Sequence, residues 1–438
     1  MLSRVSIRRS TPVLPVLLAA TLLLDQVWWG GFETTGRHGL LVLAAFAVLI
    51  GPSSTVLLAL LLAATTVSVA GDLPVVGTHR VVELVVAAAL LVLVVLATLR
   101  ARRPPPVDEV VSAGAPVLRV AVVVVYLASA LAKVNTAFLD PVVSCAAPMV
   151  RLVFGPDPRL LGPALVATVA VEALLPLLLL VRRTRTVGVV AGTAFHVVLA
   201  LAGNVPFSAL MAALYAGFLP PAARLPDAPR VRRAVVGLLA VGWLVGAVRG
   251  PSSEAPGLTG PPSAFVAPAV GTVATAGYVA LAALVVAVSL LTRDRDATPR
   301  SRPGVVVLVT TGVLVLNAVA PYAGWKTDTS FEMFSGLRTE AGSWNHLLVP
   351  PGVRLAATPY VEVVAASDQR LVARTANGTR IALPELDRAL RDETGAVATY
   401  RTEADPAPRQ IGPLPPGETL RQQLVLLRDA PPPGGPRC

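Results

Sequence analysis

Seven side chains in apolar surroundings carry the chemistry that can be read from the residues: Asp25, Glu83, Arg119, Lys133, Glu172, His196 and, one turn before Glu83, His79. An ionisable group at membrane depth costs about 2.5–3.5 kcal/mol on insertion scales, so each asks for a reason. Lys133 is the sharpest signal. Of the 37 Lys and Arg residues, only Lys133 and Lys326 are lysines. Arginine stays charged in proteins, whereas a desolvated lysine can release its proton and act as a base. The other reading of Lys133 is a lysine snorkelling to an interface one turn away. Glu172 and His196 fall about midway along consecutive apolar segments and are expected within reach of each other. They read as a proton relay or as a structural hydrogen bond. Arg119 is expected to snorkel. His79 and Glu83 share a helix face, as an interfacial pair or as a site.

These groups matter because of the elements that must hold them. A membrane span takes roughly 17–25 mostly apolar residues. Eleven apolar segments are candidates, some shorter or longer than that range: 12–30, 38–51, 55–71, 81–98, 115–137, 163–181, 187–203, 205–220, 232–249, 264–291 and 303–321. The weakest divisions are at Gly51-Pro52-Ser53-Ser54 and Asn204-Val205-Pro206. Arginine clusters at 100–103, 182–185, 224–233 and 293–302 fall on one side if the amino terminus is inside and all eleven segments span. Arg37, Arg80, Arg151 and Arg159 are then isolated cations on the other side. The positive-inside rule therefore places the protein in the cytoplasmic membrane, N-terminus inside and C-terminus outside. Asp25 through Trp29 lack a small-residue cleavage pattern, so the first segment reads as a retained helix rather than a signal peptide.

Composition agrees. The chain has 438 residues, of which 54% are hydrophobic and 14% charged. Soluble domains carry about 25% charge. The net charge of +11 marks loops rather than a nucleic-acid surface, because no basic face is interleaved with aromatics. The fold class is an all-α polytopic membrane protein of about eleven transmembrane helices with a small exterior α/β C-terminal domain. Four regions are expected: N-terminal membrane helices 1–74, a membrane domain 75–350, a small α/β domain 351–402, and a Pro/Gly-rich tail 403–438. In the α/β domain, 361–364 reads as a strand. Segments 371–374 and 380–383 read as a hairpin about Asn377-Gly378, and 384–393 as a helix. In the tail, 420–427 reads as strand-like. The histidines His38, His79, His196 and His346 lack ligand spacing, so no metal site is expected. Cys145 and Cys438 fall on the same side, which allows a disulfide, but a free thiol at Cys438 is the preferred reading.

Three stretches resemble one family. Tyr126-Leu127-Ala128-Ser129-Ala130-Leu131-Ala132-Lys133-Val134-Asn135-Thr136-Ala137-Phe138 resembles the Y-x-x-A-G-x-x-K-L-[ND]-x-x-W stretch of the vitamin K-dependent gamma-carboxylase family, whose bacterial relatives carry the horizontally transferred transmembrane (HTTM) domain. Glu172 with Pro176, Phe195-His196 and Phe207-Ser208 to Met211 are similar to its E-x-x-x-P, F-H and F-S-x-x-M segment. Thr329-Ser330-Phe331-Glu332-Met333-Phe334-Ser335 resembles its aromatic–acidic–Met block. The resemblance covers about residues 75–350. It implies a reduced lipid quinone as cosubstrate and Lys133 as the base that deprotonates it, with His79, His196 and Glu172 in the catalytic set. Tyr126, Asn135 and Phe138 are implied contacts of the quinol. A quinol hydroxyl has a pKa near phenol's, about 10, and burial among apolar residues favours a neutral amine.

Ala132 replaces a second lysine of the animal enzymes, Phe138 replaces tryptophan, and the tail is short. The expectation therefore moves from protein carboxylation towards quinol oxidation or epoxidation. The alternative is a non-enzymatic membrane scaffold or assembly protein acting through its exterior tail. A transporter using Glu172 and His196 is a third reading, against which stands the absence of an inverted repeat. The partners expected are the lipid bilayer and a lipid quinol, with no nucleic acid.

Overall fold

The computed structural model describes residues 11–28, 36–220 except 75, 223–225, 268–291, and 304–430 except 341–342, 357, 377, 393–394, 403–404, 416–421 and 423. Apolar helices dominate it: α1 Val13–Trp28, α2 Gly36–Ile50, α3 Thr55–Asp72, α4 Thr78–Ala101, α5 Val107–Lys133, α8 Pro158–Leu180, α9 Arg185–Leu201, α10 Val205–Leu214, α11 Pro268–Leu291 and α12 Val305–Ala323. Two short helices, α6 Thr136–Leu139 and α7 Ala147–Phe154, join α5 to α8.

Among the described residues six helices are long and apolar enough to cross a membrane, and α1, α2, α9 and α10 (extended by one 3-10 turn) are shorter apolar helices. Ten of the eleven expected segments thus coincide with apolar helices; the segment 232–249 lies outside the described residues. Large aliphatic side chains such as Leu43, Ile50, Leu60, Leu99, Leu308 and Leu316 are exposed along these helices. Such a surface is unsuited to water and suited to lipid. Threonine hydroxyls in the helices bond carbonyls one turn back, as in Thr65 to Leu61, Thr193 to Val189 and Thr310 to Val306. In that way a polar atom needs no water.

The two uncertain divisions are real breaks. Ser54 caps α3 by accepting from the Leu57 N–H at 3.3 Å. Between α9 and α10, Gly203 has φ of +95°. Helix α5 differs from its expected span. Pro106 precedes it, Asp108 and Glu109 complement the dipole in its first turn, and it stops at Lys133. Lys133 is therefore the last helical residue, not an interior one.

The C-terminal unit has an antiparallel sheet in the order β2-β1-β3-β4, with β1 Tyr360–Ala366, β2 Ile381–Ala382, β3 Ala398–Thr402 and β4 Arg409–Ile411. Helices α13 Gln369–Thr375 and α14 Leu383–Asp392 cover it over a core of Val361, Val363, Leu371, Ile381, Leu386 and Leu390. The expected strand at 361–364 and helix at 384–393 are present within two residues at either end. The hairpin is not: 371–374 is helical, because Asp368 caps it by accepting from Arg370 N–H and Leu371 turns into the core. Within 420–427 the described residues form no strand. Cys145 is disulfide-bonded, so it carries no thiol; the expectation of a free Cys438 lies outside the described residues.

Candidate functional site

Helix α5 presents Tyr126, Ser129 and Lys133 on one face, at spacings of three and four. Helix α8 faces it with Glu172. The Lys133 Nζ donates to Ser129 Oγ at 2.5 Å and to Glu172 Oε1 at 3.0 Å. Ser129 Oγ donates to the same carboxylate at 3.1 Å. Lys133 and Glu172 are each 5% exposed. Glu172 Oε2 also lies 2.9 Å from Nζ, so both carboxylate oxygens face the lysine. The Nζ also sits 5.8 Å from the centroid of the buried Phe138 ring, within cation–π range.

This cluster forms the polar end of a cavity of about 220 Å³. The remaining wall is mostly apolar, with Thr168 and Asn204 its other polar residues: Met149, Val153 and Phe154 come from α7, Val171 from α8, Phe195 and Leu199 from α9, Phe207 from α10, and Met333 with Phe334 from the segment after α12. Phe154 is 51% exposed on the outer surface, so the cavity is bounded there by a single layer of side chains.

His196 is fully buried beside this site and does not pair with Glu172. Its Nε2 is 2.8 Å from Tyr126 Oη, which is 2.5 Å from Tyr215 Oη. The partner that was expected for His196 is taken by Lys133, and Tyr126 faces a histidine rather than the cavity. Gly192, one turn before His196, makes room for Tyr215: a Cβ there would lie 2.0 Å from Tyr215 Oη. His196 Nδ1 has no hydrogen-bond partner.

Asn135 is spent on structure. It accepts from Phe138 N–H at 2.8 Å, capping α6, and donates to the carbonyls of Ala132 and Ser335 at 2.7 and 2.8 Å. Behind it, His346 Nε2 is 2.9 Å from the Leu131 carbonyl, and its Nδ1 accepts from Leu348 and Val349 N–H. That set fixes the neutral tautomer with hydrogen on Nε2. Burial pulls the His346 pKa below its usual value, the Leu131 carbonyl opposing.

His79 belongs to a second cluster, among α1, α3 and α4. Its Nε2 is 3.0 Å from Asp25 Oδ1, while Arg80 Nη1 bridges Asp25 Oδ2 and Glu83 Oε2, each at 3.0 Å. Arg80, expected as an isolated outside cation, is 6% exposed. Glu83 pairs with Arg80 rather than with His79, and Arg119 donates to the Gly217 carbonyl at 2.6 Å instead of snorkelling free. Sequence reasoning passed over Ser129, although its place four residues before Lys133 on the same face was a usable signal. It also passed over Tyr215, which no local pattern marks. No group of ligating side chains suited to a metal occurs among the described residues.

An apolar helical bundle suited to a membrane, with one buried lysine–carboxylate pair heading a mostly apolar cavity, is the class these features define. Comparison with family models, curated proteins and solved structures returns no match.

Proposed function

We propose that the protein is an HTTM/carboxylase-like membrane enzyme that oxidises or epoxidises a lipid quinol, with Lys133 as its base and Glu172 as the partner of that base. The observation that carries this reading is the Lys133–Ser129–Glu172 cluster at the head of a mostly apolar cavity. A lipid quinol has the matching shape of chemistry: an apolar ring and tail, and a weakly acidic hydroxyl. The hydroxyl proton passes to the Lys133 amine, and the Glu172 carboxylate 3.0 Å away stabilises the ammonium that results. That ammonium stabilises the quinolate oxygen electrostatically. Oxygen then takes two electrons, giving quinone and hydrogen peroxide, or inserts one oxygen atom, giving quinone epoxide and water.

The protein resides in the cytoplasmic membrane, with its N-terminus inside and its C-terminal unit outside, and its partners are the bilayer and the quinol. Purified protein in lipid nanodiscs, supplied with a short-chain naphthoquinol and oxygen, tests the reading. Quinol consumption by wild type and its loss in Lys133→Arg, with the variant still folded, is the expected result. Equal turnover in the two proteins removes it, and loss of cellular function only on deleting 351–438 supports the scaffold alternative.

A further inference from the structure

The segment after α12 is backbone under strain. Thr329, Phe331 and Phe334 have φ of +56°, +68° and +53°, and none is glycine. Such conformations cost about 1–3 kcal/mol each and persist only where the surroundings over-determine them. Two residues of this loop, Met333 and Phe334, wall the Lys133 cavity.

What holds the loop comes from the other end of the C-terminal unit. Arg428 Nη2 donates to Glu332 Oε1 at 2.8 Å, and Glu332 is 4% exposed. Arg428 Nη1 donates to the Leu337 carbonyl at 3.2 Å, and Arg428 N–H to Thr327 Oγ1 at 2.7 Å. The Thr327 and Asp328 N–H groups both point at the Leu426 carbonyl, at 3.2 Å. Glu332 Oε2 in turn accepts from Ser330 N–H at 2.7 Å, inside the strained run. Asp429 is bound to Arg374 of α13, so the clamp is tied to the body of the unit.

We infer that Arg428 is a positioning residue for the Lys133 cavity: through Glu332 it holds the 329–334 loop in place, so that Met333 and Phe334 form the wall against which an apolar substrate packs. The C-terminal unit is thereby part of the site. The consequence for substrate rests on the quinol reading above; the consequence for the wall does not.

The test uses the full-length protein in phosphatidylethanolamine/phosphatidylglycerol nanodiscs. A Met333→Cys reporter is labelled with a small methanethiosulfonate; Cys145, being disulfide-bonded, stays silent without reductant. Adding Arg428→Gln is expected to speed labelling about tenfold, within the ~5–150-fold typical of coupled sites. Arg428→Lys, which restores the charge but not the fork, recovers most of the protection. The Glu332→Gln/Arg428→Gln pair leaves no unpaired buried charge and keeps the test open if the single variant fails to fold; it too labels faster. In the Met333 background, Arg428→Gln raises KM for the short-chain naphthoquinol with little change in kcat, and Arg428→Lys reverses this. Unchanged labelling in both Arg428→Gln and the Glu332→Gln/Arg428→Gln pair overturns the inference. Faster labelling in a protein that consumes no quinol leaves the wall assignment standing and removes the proposed reaction.

Discussion

The Lys133–Glu172 pair makes a quantitative demand on stability. Both side chains are 5% exposed and joined at 3.0 Å, with Ser129 the nearest additional donor. Lys133→Met leaves a carboxylate buried with one hydroxyl for company, and Glu172→Leu leaves an ammonium in the same state. Removing one partner of a buried pair costs about 3–5 kcal/mol, whereas replacing both by apolar groups of similar volume is often neutral or stabilising by about 1–4 kcal/mol. The double variant is therefore expected to lie within about 1 kcal/mol of wild type or above it, while each single lies at least about 3 kcal/mol below. The resulting coupling energy exceeds about 3 kcal/mol, beyond the usual range for neighbouring residues. Reversible unfolding by SDS in mixed micelles, followed by tryptophan fluorescence, measures all four proteins. Additive single variants, or singles within about 0.5 kcal/mol of wild type, refute a buried ion pair. The stable double variant also serves the activity assay, since it is folded and lacks the base.

Three further outcomes follow from other contacts. Gly192→Ala sets a methyl 2.0 Å from Tyr215 Oη and must push that ring off Tyr126; overpacking predicts a loss of about 1–3 kcal/mol in the same unfolding assay, partly relieved by Tyr215→Phe. Asn135→Ala orphans the carbonyls of Ala132 and Ser335 and uncaps α6, for a loss of at least about 2 kcal/mol, visible as a lowered unfolding midpoint even without any quinol. His346 has a folded pKa below its unfolded value near 6.5, so the unfolded chain binds the proton first; its contribution is present above about pH 6.5 and is lost as pH falls through the lower folded value. A pH series of unfolding midpoints is expected to drop between neutral and acidic pH in wild type and to flatten there in His346→Gln.

How much of this was legible in the residues depends on distance along the chain. Helices were readable because each apolar run states its own fate; proline, serine and glycine punctuation marked weak points at 51–54 and 204–206, but whether a helix there breaks or bends was not legible. Lys133 and Glu172 were readable singly, as ions with no business in apolar helices, but their pairing was not. Helix phase decided it: Glu172 and His196 sit at similar depth, yet α9 turns His196 towards Tyr126 and Tyr215. The hairpin at 371–383 failed for the reason that tertiary burial of Leu371 and an Asp368 cap outweigh turn chemistry. Arg80 looked like a loop cation because sequence position cannot reveal Asp25, which lies 55 residues earlier. The wall formed by Met333 and Phe334 was beyond reach, since it depends on Arg428.

The Glu332–Arg428 contact also sets an order of events during synthesis. The two residues are 96 apart in the chain. At about 5–20 residues per second, a ribosome delivers Glu332 roughly 5–20 s before the cation that neutralises it. Through that interval the helices can already be inserted while the loop beneath them still carries an uncompensated carboxylate. A chain interrupted in that window would present a nearly complete bundle whose Met333–Phe334 wall lacks its Arg428 clamp.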